Sequence, residues 1–94
     1  MKKKSSRAER EHMSKVAELG CIACYTLGYP DTPAEIHHPR QFVGMGQRSS
    51  HYDVIPLCPF HHRTGQEAVH VSPAKFQAKF GSEDFLLNLV RGML

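Results

Sequence analysis

Leu57-Cys58-Pro59-Phe60-His61-His62 puts one thiol and two imidazoles into a six-residue stretch, and Cys21-Ile22-Ala23-Cys24 lies upstream of it. Zinc in proteins is commonly four-coordinate, held by thiolates and imidazoles that arrive in pairs about two to four residues apart. Cys21 with Cys24 and Cys58 with His61 make two such pairs, each with two intervening residues, and together they use every cysteine in the chain. His62 is then left for another task. The competing assignment exchanges the two neighbours, with His61 capping a helix and His62 as fourth zinc ligand. A second histidine pair, His37-His38, lies between the two zinc pairs. Neutral imidazole ligates several first-row divalent ions, and its pKa near neutrality lets it take a proton from water. The residue types therefore suggest a zinc-stapled scaffold carrying a histidine-rich catalytic metal site.

The composition agrees with that division. Ninety-four residues suit one small domain, 1–94, in a size range where a hydrophobic core alone gives marginal stability. A structural metal would supply what the core lacks. Three cysteines cannot close a disulfide framework without leaving one over, whereas three thiolates and a histidine complete a zinc site. That usage favours a reducing compartment. No apolar run approaches the roughly 20 residues that span a bilayer, and the opening Met-Lys-Lys-Lys-Ser-Ser-Arg lacks the apolar segment of a signal peptide. A cytoplasmic chain with no membrane partner is expected.

The net charge of +3 is unevenly placed. Lys2, Lys3, Lys4, Arg7, Arg10 and Lys15 crowd the amino terminus, and Arg40, Arg48 and Arg63 flank the histidines. Basic residues beside a metal centre suit a polyanion such as nucleic acid. The terminal lysines alone fit a solvated tail equally well, so the arginines weigh more.

The elements that must position these residues follow from local signals. Residues 1–5 read as a flexible basic arm. Ser6 with Glu9 matches a capping box, Met13, Val16 and Ala17 make a narrow apolar stripe, and Gly20 closes a helix that delivers the chain to Cys21. Cys21 to Tyr29 reads as a zinc knuckle, and 34–38 as a short strand ended by Pro39. Neighbours on a strand face opposite sides, so His37 and His38 should serve different roles. A polar, glycine-rich loop spans 40–50, and Tyr52 to Leu57 is a second strand interrupted by Pro56. Pro59-Phe60 starts a helix holding His61, His62 and Arg63. Ser72-Pro73 starts another, with Phe76 and Phe80 on one face. Ser82 caps a last helix with a stripe of Phe85, Leu86, Leu89 and Val90.

A knuckle, two strands and a helix bearing further zinc ligands make a treble clef. The pattern x-His-His-Pro followed by Ile-Pro-Leu-Cys-x-x-His-His resembles the HNH family of ββα-metal endonucleases. Within it, the sequence is similar to the phage recombination-enhancement nuclease (Ref) family, over about Glu9 to Phe80. The resemblance implies an α+β fold, a small zinc-stabilised treble-clef ββα-metal core with an N-terminal helix and one or two C-terminal helices. It implies a metal-dependent DNA endonuclease acting in phage or prophage recombination or repair, with DNA and a recombinase filament as partners. It also implies structural Zn²⁺ on Cys21, Cys24, Cys58 and His61, and one divalent catalytic ion, Mg²⁺ or another first-row ion. The family pattern makes His37 and His62 ligands of that ion, with His70 completing the set, although a histidine in the apolar run around His70 is as readily structural. His38 is then the general base. Asp53 stands where the family commonly has a base-orienting Asn, with His51 its rival. Arg48, then Arg40 or Arg63, would clamp phosphate, and Lys2, Lys3 and Lys4 would add to nucleic-acid binding. The runner-up reading is a non-enzymatic zinc-binding nucleic-acid module, and a third is an adaptor using an exposed last helix. Convergence of the remaining histidines on one point would favour the enzyme.

Overall fold

Ser6 caps the first helix as its sequence predicts. Its hydroxyl accepts from the Glu9 amide at 3.1 Å, and the Glu9 carboxylate accepts from the Ser6 amide at 2.7 Å. The computed structural model describes residues 5–39 and 51–94. The remainder of the predicted basic arm, with Lys2, Lys3 and Lys4, and the loop carrying Arg40 and Arg48 lie outside the described residues.

Helix α1 runs Arg7–Glu18 and buries Val16. Gly20 follows with φ +81°, a left-handed conformation that side chains resist. A Cβ there would stand 3.1 Å from the Thr32 carbonyl oxygen, the atom that accepts from the Cys21 amide at 2.8 Å. Glycine thus lets the chain turn tightly enough to anchor Cys21 against residues 31–32. The knuckle itself is a five-residue helix, α2 (Ile22–Thr26), capped by the Cys21 sulfur on the Cys24 amide.

Two three-residue strands, β1 (Glu35–His37) and β2 (Ile55–Leu57), pair antiparallel with Glu35 opposite Leu57, Ile36 opposite Pro56 and His37 opposite Ile55. Both are shorter than the sequence pattern suggests. Pro39 lies just beyond β1, and Pro56 sits inside β2, tolerated because both strands of a two-stranded sheet are edges.

A wide π-helical turn, Phe60–Thr64, replaces the ordinary helix expected after Pro59. The Gly65 amide closes it on the Phe60 carbonyl at 2.8 Å, and a Cβ at Gly65 would meet that same oxygen at 2.6 Å. The turn cannot lengthen into a helix because the His61 and His62 carbonyls accept from the Val69 and His70 amides at 2.9 and 3.1 Å. Those two bonds fold residues 69–70 back alongside the histidines.

Helices α3 (Pro73–Phe80) and α4 (Glu83–Met93) complete the chain. Ser72 precedes Pro73 as expected, but its side chain makes no capping hydrogen bond. Ser82 does cap α4, accepting from the Phe85 amide at 3.0 Å. The buried face of α4 is Leu86, Leu87 and Val90, with Leu89 partly buried against the same core. Phe85, placed on that stripe by the sequence reading, is 52% exposed. The face is rotated one position towards Leu87. Positions three and four residues earlier on a helix share that face, so the rotation turns Glu83 inward. Val16, Ile22, Ile55, Leu57, Phe76 and Leu86 are essentially inaccessible, and Cys21 and Cys24 belong to the same buried cluster. The core is therefore continuous with the thiols.

Leu86→Ala should cost about 2–5 kcal/mol of unfolding free energy. Phe85→Ala should cost less than about 1 kcal/mol, as a largely solvated site. Urea denaturation of the two variants checks the assigned rotation of α4, and equal losses would refute it.

Candidate metal centres

Cys21 and Cys24 come from the ends of one helical turn, Cys58 follows β2, and His61 sits inside the π-helical turn. Their ligand atoms all lie within 4.8 Å of one another, and all four residues are buried. The Cys24 and Cys58 sulfurs are 3.8 Å apart, and His61 Nδ1 stands 3.7, 3.4 and 3.3 Å from Cys21, Cys24 and Cys58. Zn–S bonds of about 2.3 Å and Zn–N bonds of about 2.0 Å at tetrahedral angles put such atoms about 3.5–3.8 Å apart. The set is geometrically compatible with a structural zinc site.

Its electrostatics point the same way. Burial pushes the Cys21 thiol up to about 12, because a thiolate without a counter-charge is disfavoured in an apolar setting. A bound cation reverses that preference and makes the thiolate the stable form. Burial, with Lys79 adding to it, lowers the His61 pKa, which favours the neutral imidazole that a metal needs. The ring is braced edge-on by Phe60 and by Phe80 of α3, at centroid distances of 5.3 and 5.2 Å. Phe80 thus packs on the imidazole of this cluster as well as in the core.

His61 and His62 are neighbours, and they face different clusters. His62 joins His37 and His70, and one nitrogen from each ring lies within 4.8 Å of the other two. The His62 and His70 Nε2 atoms are 3.0 Å apart, and the His37 ring centroid is 5.1 and 5.0 Å from those of His62 and His70. His70 reaches this point because the Val69 and His70 amides are tied to the two preceding carbonyls.

Carboxylates stand behind two of these rings. The Glu35 Oε1 atom accepts from His62 Nδ1 at 2.7 Å and from Arg63 Nε at 2.8 Å. Arg63 first, and His62 second, hold the Glu35 carboxyl below its ordinary pKa. Glu83 Oε2 lies 2.5 Å from His37 Nε2. Each arrangement leaves the other ring nitrogen available: His62 Nε2 faces His70, and His37 Nδ1 is buried without a hydrogen-bond partner among the described residues. Neither glutamate was legible as functional in the sequence. Glutamate is too common, and the pairs join residues 27 and 46 positions apart.

His38, just past the end of β1, meets a different partner. Its Nε2 meets His51 Nδ1 at 2.9 Å, with the rings edge-on. Asp53, expected beside His38, has its carboxylate on the Arg91 guanidinium of α4. Arg63, expected to clamp phosphate, forks onto Glu35.

An α+β chain with a Cys₃His cluster on a knuckle, a short sheet and the following helical turn is consistent with a treble-clef, HNH-like arrangement. The family described as recombination enhancement, RecA-dependent nuclease matches residues 5–94, and the chain belongs to it. No curated protein matches the chain. Family membership together with the cluster supports a nuclease-related role and nucleic acid as the partner. Among the described residues no helix is long and apolar enough to cross a membrane.

Metal analysis of the purified chain should find about one tightly bound zinc, as a four-ligand structural site requires. Cys24→Ser should lose it together with much of the helical circular dichroism, since binding energy at such sites is folding energy. A zinc-free parent with intact helicity would refute the structural role.

Proposed function

We propose that the chain is an HNH-type, metal-dependent DNA endonuclease formed as a single domain, in which one ion staples the fold and a second serves hydrolysis. The observation carrying this reading is the meeting of His37, His62 and His70, three imidazoles from three separate segments, with no task in the zinc cluster. A zinc-binding nucleic-acid module would have no use for such a convergence. The orphaned Nδ1 of buried His37 supports an ion there, because an unpartnered buried acceptor is costly unless something occupies its lone pair. The three-imidazole donor set suits first-row transition ions better than Mg²⁺, which prefers oxygen ligands.

On this reading His37, His62 and His70 hold the divalent ion, Cys21, Cys24, Cys58 and His61 hold zinc, and His38 is the general base. When bound, the divalent ion supplies charge stabilisation at the phosphate and at the leaving oxygen. His38 takes the proton of the attacking water at whichever imidazole nitrogen carries the lone pair. His51, at 2.9 Å, fixes the orientation of that ring and favours one tautomer. The pairing of Asp53 with Arg91 favours His51 over Asp53 for this orienting task. Glu35 holds His62 and is itself held by Arg63, so Arg63 acts on the site through Glu35. Arg48, Arg40 and the amino-terminal lysines remain the proposed phosphate contacts. DNA is the substrate, and the family's description extends the proposal to a RecA filament as partner.

Cleavage of plasmid DNA with added divalent ions, with and without RecA-coated single strands, tests the assignment. His38→Ala should lower the rate about 10²–10⁴-fold, the usual contribution of a general base. It should leave zinc content unchanged. His62→Ala should likewise abolish cleavage while keeping the zinc. Undiminished cleavage by the His38 variant would remove it as the base.

A further inference from the structure

We propose that Glu83 is a positioning residue for His37, fixing the ring in the tautomer that turns its Nδ1 lone pair towards His62 and His70. The inference rests on the three-histidine reading above and adds to it a residue from α4. An ionised carboxylate can only accept, so the contact between Glu83 Oε2 and His37 Nε2 places the ring proton on Nε2. A neutral imidazole carries one N–H, which leaves Nδ1 as the bare nitrogen. That nitrogen is the one buried polar side-chain atom without a hydrogen-bond partner among the described residues. The carboxylate thereby accounts for one end of the ring and leaves the other with a lone pair that a cation could take.

Glu83 is well placed to be rigid. It opens α4, next to the capping Ser82, and α4 is locked down by Leu86, Leu87 and Val90. The His37 and Glu83 side chains are 2% and 15% exposed, so water competes little for the contact. His62 shows the same construction with Glu35 behind Nδ1. A carboxylate behind a ligating imidazole orients the ring and raises its basicity, and losing one typically lowers metal affinity or activity about 10–100-fold.

Long-range ¹H–¹⁵N spectra of the zinc-replete full chain, without added second metal, read the tautomer directly and need no variant. His37 should be protonated on Nε2 in the parent. Glu83→Gln, whose amide oxygen still accepts, should keep that tautomer, and Glu83→Ala should lose the bias. Mn²⁺ titration followed by electron paramagnetic resonance should show Glu83→Ala binding about 10–100-fold more weakly than the parent at unchanged zinc content. An Nδ1-protonated His37 in the parent, or equal Mn²⁺ affinity in parent and Glu83→Ala, would overturn the proposal. A parent that takes up no Mn²⁺ while His37 is protonated on Nε2 would overturn the three-histidine reading and keep the assignment of Glu83 to the ring.

Discussion

Three sulfurs and one imidazole nitrogen within 4.8 Å of each other, all buried, set the terms for the rest of this fold. Left to themselves the thiols are merely small apolar groups, and burial keeps Cys21 protonated far above neutrality. A cation among them turns the same burial into an advantage, because thiolates and metal neutralise one another where water cannot reach. The core is built outward from that cluster. Ile22 and Ala23 lie between the first two sulfurs, Ile55 and Leu57 lead into the third, and Phe80 packs on the imidazole. A chain this short has little apolar area to spare, and two strands of three residues would not hold together unaided.

The second cluster inherits its geometry from the first. His61 and His62 share one wide turn, so fixing the ring of His61 among the thiols leaves the backbone of His62 almost no freedom. The carbonyls of the same two residues then fix Val69 and His70, which brings a third imidazole in without any sheet or helix to carry it. His37 arrives from β1, opposite Ile55 of the strand that leads to Cys58. His62 is thus the covalent neighbour of a cluster residue, and His37 and His70 are tied to the cluster's elements by backbone hydrogen bonds. Metal sites need placement to about 0.5 Å, and a small protein can reach that only by such direct attachment.

Much of this was legible because clusters of the kind that hold metals write short, strict spacings into sequence. The Cys21/Cys24 and Cys58/His61 spacings and the caps at Ser6, Gly20 and Ser82 are local signals with counterparts in the structure, whereas the predicted strand stops at His37, one residue short of His38. The features that the sequence left out depend on distant neighbours. Asp53 is drawn to Arg91, 38 residues away, and no feature near Asp53 announces it. The apolar pattern of α4 admits two faces that differ by one residue, and packing of the helix onto β2 and the core chose Leu87 over Phe85. The π-helical turn has the same origin, since its width is set by hydrogen bonds to a segment that periodicity cannot place.

The C-terminal helices then have a use beyond covering the core. Helix α3 contributes Phe80 to the imidazole of the thiol cluster, and α4 contributes Glu83 to His37 and Arg91 to Asp53. A treble clef alone leaves the outer side of its histidines to water, where rings reorient and tautomers mix. Packing two helices there replaces water with an aromatic edge on one ring and a carboxylate on another. On the proposal above the carboxylate is the more consequential, because it would select which nitrogen faces the shared point as well as how the ring is turned. The short sheet and the turn after it thus supply the imidazoles, and on the proposal above the helices that follow bias which lone pairs those imidazoles present.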